Sequence, residues 1–272
     1  MTRNNRSHAN ARRRVQAFLL RCPCAAERIA LIIKIVSLVA LGLLVTLDAH
    51  AAQAPAARGE RFEVASIKAV RPTLVRTVAA LQKKDVAGAK DAFEAFDSGW
   101  NGIEVYVSTR YPEMYKELEG NYETRIIAGL NAAAPNTAAV LSDAQAMLAK
   151  YDETIGLLEK AAPLNRLYDD VARLRIVRAH LREVTPSLKA GKLEKARSSF
   201  NAFNDNWDSI EDLVSERSRE AYVAIESGMI QIENTLMPAK PDVDAVIGLV
   251  SGVMDRYNAI VAAVTKEARS AK

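Results

Sequence analysis

Trp100 and Trp207 each precede a glutamate by four residues, Glu104 and Glu211. Tyr115 and Tyr222 precede Glu119 and Glu226 by the same step. Four residues along a helix return to the same face, so each set can present two carboxylates, a phenol and an indole N–H to one interior pocket. Such oxygens suit hard cations, which makes Glu104, Glu119, Glu211 and Glu226 the candidate ligands, with Tyr115 and Tyr222 in support. Arg71 and Arg178 fall on apolar stripes (67, 71, 74, 78 and 174, 178, 181). An interior arginine requires carboxylate partners. Read without a metal, Arg71, Arg178, Trp100 and Trp207 form with these glutamates a buried network that fixes helix register. Arg110 and Arg217 complete that network by capping the carbonyls of their own helices.

Other chemistries find little support. The only histidine beyond the first 51 residues is His180, so the two Glu-x-x-His motifs of a di-iron bundle are missing. Haem at His180, as in an electron carrier, is a weaker alternative without an attachment motif. No Ser-His-Asp set, Gly-rich phosphate loop or clustered Met spacing occurs, and a non-enzymatic protein is expected. Asp205, Asp208, Asp212 and Glu216 share one helical face and read as a solvated surface.

The elements that must position these residues are helices, and they come twice. Shifting the chain by 107 residues aligns 67–130 with 174–237 without a gap. Phe93, Phe96, Trp100, Ile103 and Glu104 fall on Phe200, Phe203, Trp207, Ile210 and Glu211, and Tyr115 and Glu119 on Tyr222 and Glu226. With a shift of 106, 141–160 matches 247–266, Tyr151 falling on Tyr257. Apolar residues recur at three- and four-residue steps, and no stretch alternates with period two. The expectation is an all-α protein of eight helices: a first four-helix unit at 67–162 and a second at 163–272, packed as two bundles or one array. Asp85 and Ser218 are placed to cap helices and Pro112 to start one. Pro72 should kink the first helix or mark its start.

The chain has 272 residues, 49 % of them hydrophobic and 26 % charged, with a net charge of +4. Eight Lys/Arg against two acidic residues lie in 1–51, which leaves 29 basic and 31 acidic residues beyond, so a nucleic-acid partner is not indicated. The arginine-rich start, the uncharged core Ile35–Leu47 and Asp48-Ala49-His50-Ala51 read as a signal peptide over 1–51. A flexible entry segment follows at 52–66. The body is expected in the periplasm, without a membrane span once the leader is cleaved. The alternative is anchoring by an uncleaved leader, with Lys34 reaching the headgroups. Cys22 and Cys24, the only cysteines, both lie in the leader, so no disulfide framework is expected.

The string Lys83-Lys84-Asp85-Val86-Ala87-Gly88-Ala89-Lys90, followed by Phe93-x-x-Phe96-x-x-x-Trp100-x-x-x-Glu104, recurs in part at Phe200, Phe203, Trp207 and Glu211. It resembles the extracytoplasmic helical region that precedes the membrane part of many bacterial high-affinity iron permeases. The resemblance implies a periplasmic accessory of iron uptake that binds iron or docks to a membrane iron permease or another uptake component. It does not extend to the permease part, because no intramembrane Arg-Glu-x-x-Glu motif is present. The alternative is a structural adaptor, held by buried salt bridges and without metal.

Overall fold

The computed structural model describes residues 59–271, so the expected leader and 52–58 of the expected entry segment lie outside the described residues. Of the described residues 84 % are helical and none is in a strand. The all-α expectation is met, with eight α-helices of seven or more residues. In chain order the elements are α1 (Phe62–Gln82), α2 (Val86–Arg110), α3 (Pro112–Lys116), a π-helical turn π1 (Glu117–Glu123) and α4 (Thr124–Asn131). There follow α5 (Thr137–Lys160), α6 (Leu167–Arg182), α7 (Val184–Lys189), α8 (Leu193–Trp207), α9 (Glu211–Ser215), α10 (Arg219–Leu236) and α11 (Val243–Ser270).

Local chemistry sets the breaks. Asp85, Asn136, Ser218 and Asp242 accept N-cap bonds from Gly88, Ala139, Ala221 and Ala245, each satisfying an amide the helix leaves unpaired. Pro112 occupies the first position of α3. The chain turns from α1 to α2 with Lys84 at φ 58°, and from α7 to α8 with Gly191 at φ 71°. Both are left-handed conformations, which glycine takes without steric strain. The flexible entry segment is corrected in part, and of the two roles expected of Pro72 the helix start is excluded. Helix α1 starts at Phe62 and runs through Pro72, so 62–66 are helical, not flexible, and Glu63, Val64 and Ser66 are buried.

Helix α1 lies between α2 and α5, α2 packs along α6, and α6 in turn contacts α8 and α11, with α10 on α11. The described residues thus belong to one compact unit, an array joined through α2 and α6. Its core holds Phe96, Trp100, Tyr106, Tyr151, Phe203, Trp207 and Tyr257, each 2 % exposed or less. Tyr151 donates to the Ile67 carbonyl at 2.8 Å and Tyr257 to the Leu174 carbonyl at 2.7 Å. Helix α11 is long and apolar enough to cross a membrane by length and composition, but it buries Val246, Val250, Tyr257 and Val264 in this core.

The α2–α6 seam depends on a glycine. A Cβ on Gly102 would lie 2.7 Å from Ile176 Cγ1 and 3.2 Å from its Cα. Gly102→Ala adds helix propensity worth ~1 kcal/mol, yet overpacking against a backbone costs about 1–3 kcal/mol. The expected outcome is a net loss of about 1 kcal/mol, read as a lower melting temperature. An unchanged or higher one contradicts the tight seam.

Candidate functional site: an acidic pocket at the α2–π1–α6 junction

In the first half, α2 presents Asp97, Trp100, Asn101 and Glu104 at helical three- and four-residue steps, facing Tyr115 of α3 and Glu119 and Glu123 of π1. The Trp100 ring is fully buried, stacked on Phe96 and Tyr115 with the edge of Tyr151 against it. That packing fixes its indole N–H, which donates to Glu119 at 2.9 Å. The Tyr115 phenol and the Glu104 carboxyl both feel the charge of Glu119. Burial first, then the Glu119 charge, pushes the Glu104 carboxyl up to about 7, although Arg175 of α6 opposes the shift from 2.9 Å. The Tyr115 phenol is likewise pushed up to about 12 by burial and the two carboxylates.

Deeper in the same junction lies Glu123, only 7 % exposed. Its Oε2 has no hydrogen-bond partner. Burial, then Asp97, Glu119 and Glu104, push its carboxyl up to about 9. Arg182 of α6 stands 3.6 Å from Asp97 and donates to Asn101 at 3.0 Å.

The second half builds a simpler set. The Trp207 indole donates to Glu226, and the Tyr222 ring stacks on Trp207. The Tyr222 hydroxyl donates to Glu211 at 3.1 Å, and burial pushes it up to about 12. Glu211 begins the separate short helix α9, whereas Glu104 sits inside the unbroken α2. The six candidate ligands thus gather as two triads, Glu104, Tyr115, Glu119 and Glu211, Tyr222, Glu226.

The chain matches no family model, no curated protein and no solved structure. Function must be argued from the geometry.

The arginines differ from expectation. Arg71 is not interior: its side chain is 40 % exposed and grips Asp152 of α5 through two bonds of 2.5 and 2.7 Å. Arg178, half-buried, donates to Asn258 at 2.9 Å. Both lean toward the last long helix of their own half, α5 for Arg71 and α11 for Arg178, and the guanidinium that meets Glu104 is Arg175. Arg110 does not cap α2. It pairs with the buried Glu63 at 2.8 Å and donates to the Ala162 carbonyl at 2.5 Å. Arg217 donates to Leu213 of its own segment at 3.0 Å and stands 3.4 Å from Glu267 and 3.7 Å from Asp170. His180 lies in the last turn of α6, and Asp205, Asp208, Asp212 and Glu216 are exposed.

Asp97, Glu123 and Arg175 are the members that sequence reasoning missed. The i, i+4 pair Glu119–Glu123 and the i, i+7 pair Asp97–Glu104 were available as signals. Among the described residues, no group of three or more acidic, histidine or cysteine side chains is already arranged to hold a metal ion.

Proposed function

We propose that this chain is a non-enzymatic, periplasmic helical protein that serves iron uptake, binding iron through its glutamate–tyrosine sets and docking to a membrane iron permease system. The observation that carries this reading is that Trp100 and Trp207 each fix a glutamate next to a tyrosine and a second glutamate. Carboxylate and phenol oxygens are the donor chemistry a hard iron ion takes. The resemblance to iron-permease extracytoplasmic regions points the same way. Removing Glu104, Glu119, Glu211 and Glu226 together as glutamines should abolish iron binding in anaerobic titration while the circular dichroism of the helices persists. Iron retained by that variant, or no uptake of iron by the folded wild type, overturns the reading.

A structural adaptor without metal is the second reading, and the Arg175–Glu104 pair favours it. That pair ties the two halves across the seam and competes with a cation for Glu104. Under this reading, elemental analysis of the purified protein finds no iron and added iron does not raise its melting temperature.

A further inference from the structure

Among the described residues, helix α1 lacks one packing partner that its counterpart has. At the offset of 107, α1 corresponds to α6 with α7, and α2 to α8 with α9. Helix α6 packs on α8 and α11 as α1 packs on α2 and α5, but α6 also carries α2 on a third face. Ala172 and Ala179 flank Ile176 on that face at helical steps and are 0 % and 7 % exposed. On α1 their counterparts are Ala65, which is partly exposed, and Pro72, which is exposed, with Ala69 exposed between them. Val75, 36 % exposed, extends the strip. The end of a stacked array stays soluble when its outer face is polar, and this one is built of small and apolar side chains.

The other end offers a matching surface. In the α2–α6 seam, Tyr106 donates to Asp169 at 2.8 Å, Arg175 meets Glu104 at 2.9 Å, and Gly102 lies against Ile176. At the offset of 107, Tyr106, Glu104 and Gly102 become Leu213, Glu211 and Ser209 at α8–α9, while Asp169, Arg175 and Ile176 become Phe62, Lys68 and Ala69 on α1. Each pair stays complementary: apolar on apolar, carboxylate on ammonium, small on small. All six side chains are at least partly exposed. Charge agrees as well. Asn101, whose counterpart is Asp208, accepts from Arg182, whose counterpart Val75 adjoins Arg76. Lys68 already bonds Glu60 and Glu159, so the exposed Arg76 and Asp208 carry the charge match.

We propose that this face of α1 is the docking surface for the α8–α9 end of a second copy of the chain, in the register of the α2–α6 seam. The contact is made by the end of α8 and by α9, because the chain is interrupted between them at 208–210. It runs head to tail, so every added copy leaves one free α1 face and one free α8–α9 end. The proposal is independent of the iron reading.

Sedimentation velocity of the purified protein over a concentration series tests it. The mass should rise with concentration past that of a dimer, and high salt should reduce it, because the Arg76–Asp208 attraction is screened. Ala69→Tyr and Ser209→Tyr each put a ring into the contact from one side. Each alone should weaken association at least tenfold with the circular dichroism unchanged. Mixed in equal amounts, they should form a dimer and stop there, since only the α8–α9 end of Ala69→Tyr and the α1 face of Ser209→Tyr remain intact. A wild type that stays monomeric at every concentration overturns the proposal. Association left unchanged by Ser209→Tyr overturns it too, in favour of a symmetric α1–α1 dimer. So does a mixture of the two variants that stays monomeric.

Discussion

Arg110→Ala should destabilise the protein by about 3–5 kcal/mol, the loss typical of a buried ion pair deprived of one partner. The side chain of Glu63 is 4 % exposed and that of Arg110 10 %. Glu63 is wedged between Arg110 and Arg61, both at 2.8 Å. The same arginines donate to the end of α5 and the residues after it, Arg61 to Leu158 and Ala161 and Arg110 to Ala162. Cations there also complement the negative end of the helix dipole. Without Arg110, Glu63 stays buried with one partner and the Ala162 carbonyl loses its donor. Arg61 remains, so the lower part of the range is expected. Arg71→Ala supplies the contrast: its pair with Asp152 is two-fifths exposed on both sides, and such pairs contribute about 0–1 kcal/mol. Urea unfolding of both variants measures the difference, and equal losses would contradict it.

Glu123→Gln should stabilise the metal-free protein at alkaline pH by about 1–2 kcal/mol, the removal of part of a strained ionisation. Burial first, then Asp97, pushes the Glu123 carboxyl up to about 9, against roughly 4.3 for an unfolded glutamate. The folded chain therefore binds more protons than the unfolded chain between these values. Stability is complete below the unfolded pKa and declines as pH rises through the folded one. Glu104, pushed up to about 7, adds to the same slope. A glutamine at 123 cannot ionise, and its amide can donate to Asp97. The two proteins should unfold alike near about pH 4.5 and diverge toward about pH 9. Parallel pH profiles in denaturant titrations would show that Glu123 ionises freely in the fold.

Much of the architecture is legible in the chain because burial leaves a periodic trace. Phe93, Phe96, Trp100 and Tyr151, with their counterparts in the second half, announce the helices and the faces they bury. The recurrence of the indole–carboxylate bonds and of the buried tyrosine-to-carbonyl bonds supports reading the chain as a duplication. Arginine placement was less legible, since stripe position does not fix where a long side chain ends. Arg71 leaves the core edge to reach Asp152, and Arg175, one step round the same kind of helix, reaches Glu104 instead. Glu63 was hidden because 62–66 lack a strong apolar repeat, and only the distant Arg110 and Arg61 explain their order. Glu123 escaped because a regular helix phase does not turn it inward.

That phase change has a cause in π1. A π turn closes i to i+5 bonds and so takes up one additional residue within a helix. Contacts up to Glu119, inside π1, repeat at an offset of 107, Trp100 to Glu119 against Trp207 to Glu226, and buried positions after π1 repeat at 106. The one additional residue of the π turn accounts for the difference. In a straight helix such an insertion would swing every later apolar side chain away from its neighbours, but here one widened turn absorbs it and α4 keeps its packing. The register of the two halves thus shifts by one residue within π1, which leaves a glutamate in the first half where the second buries a methionine.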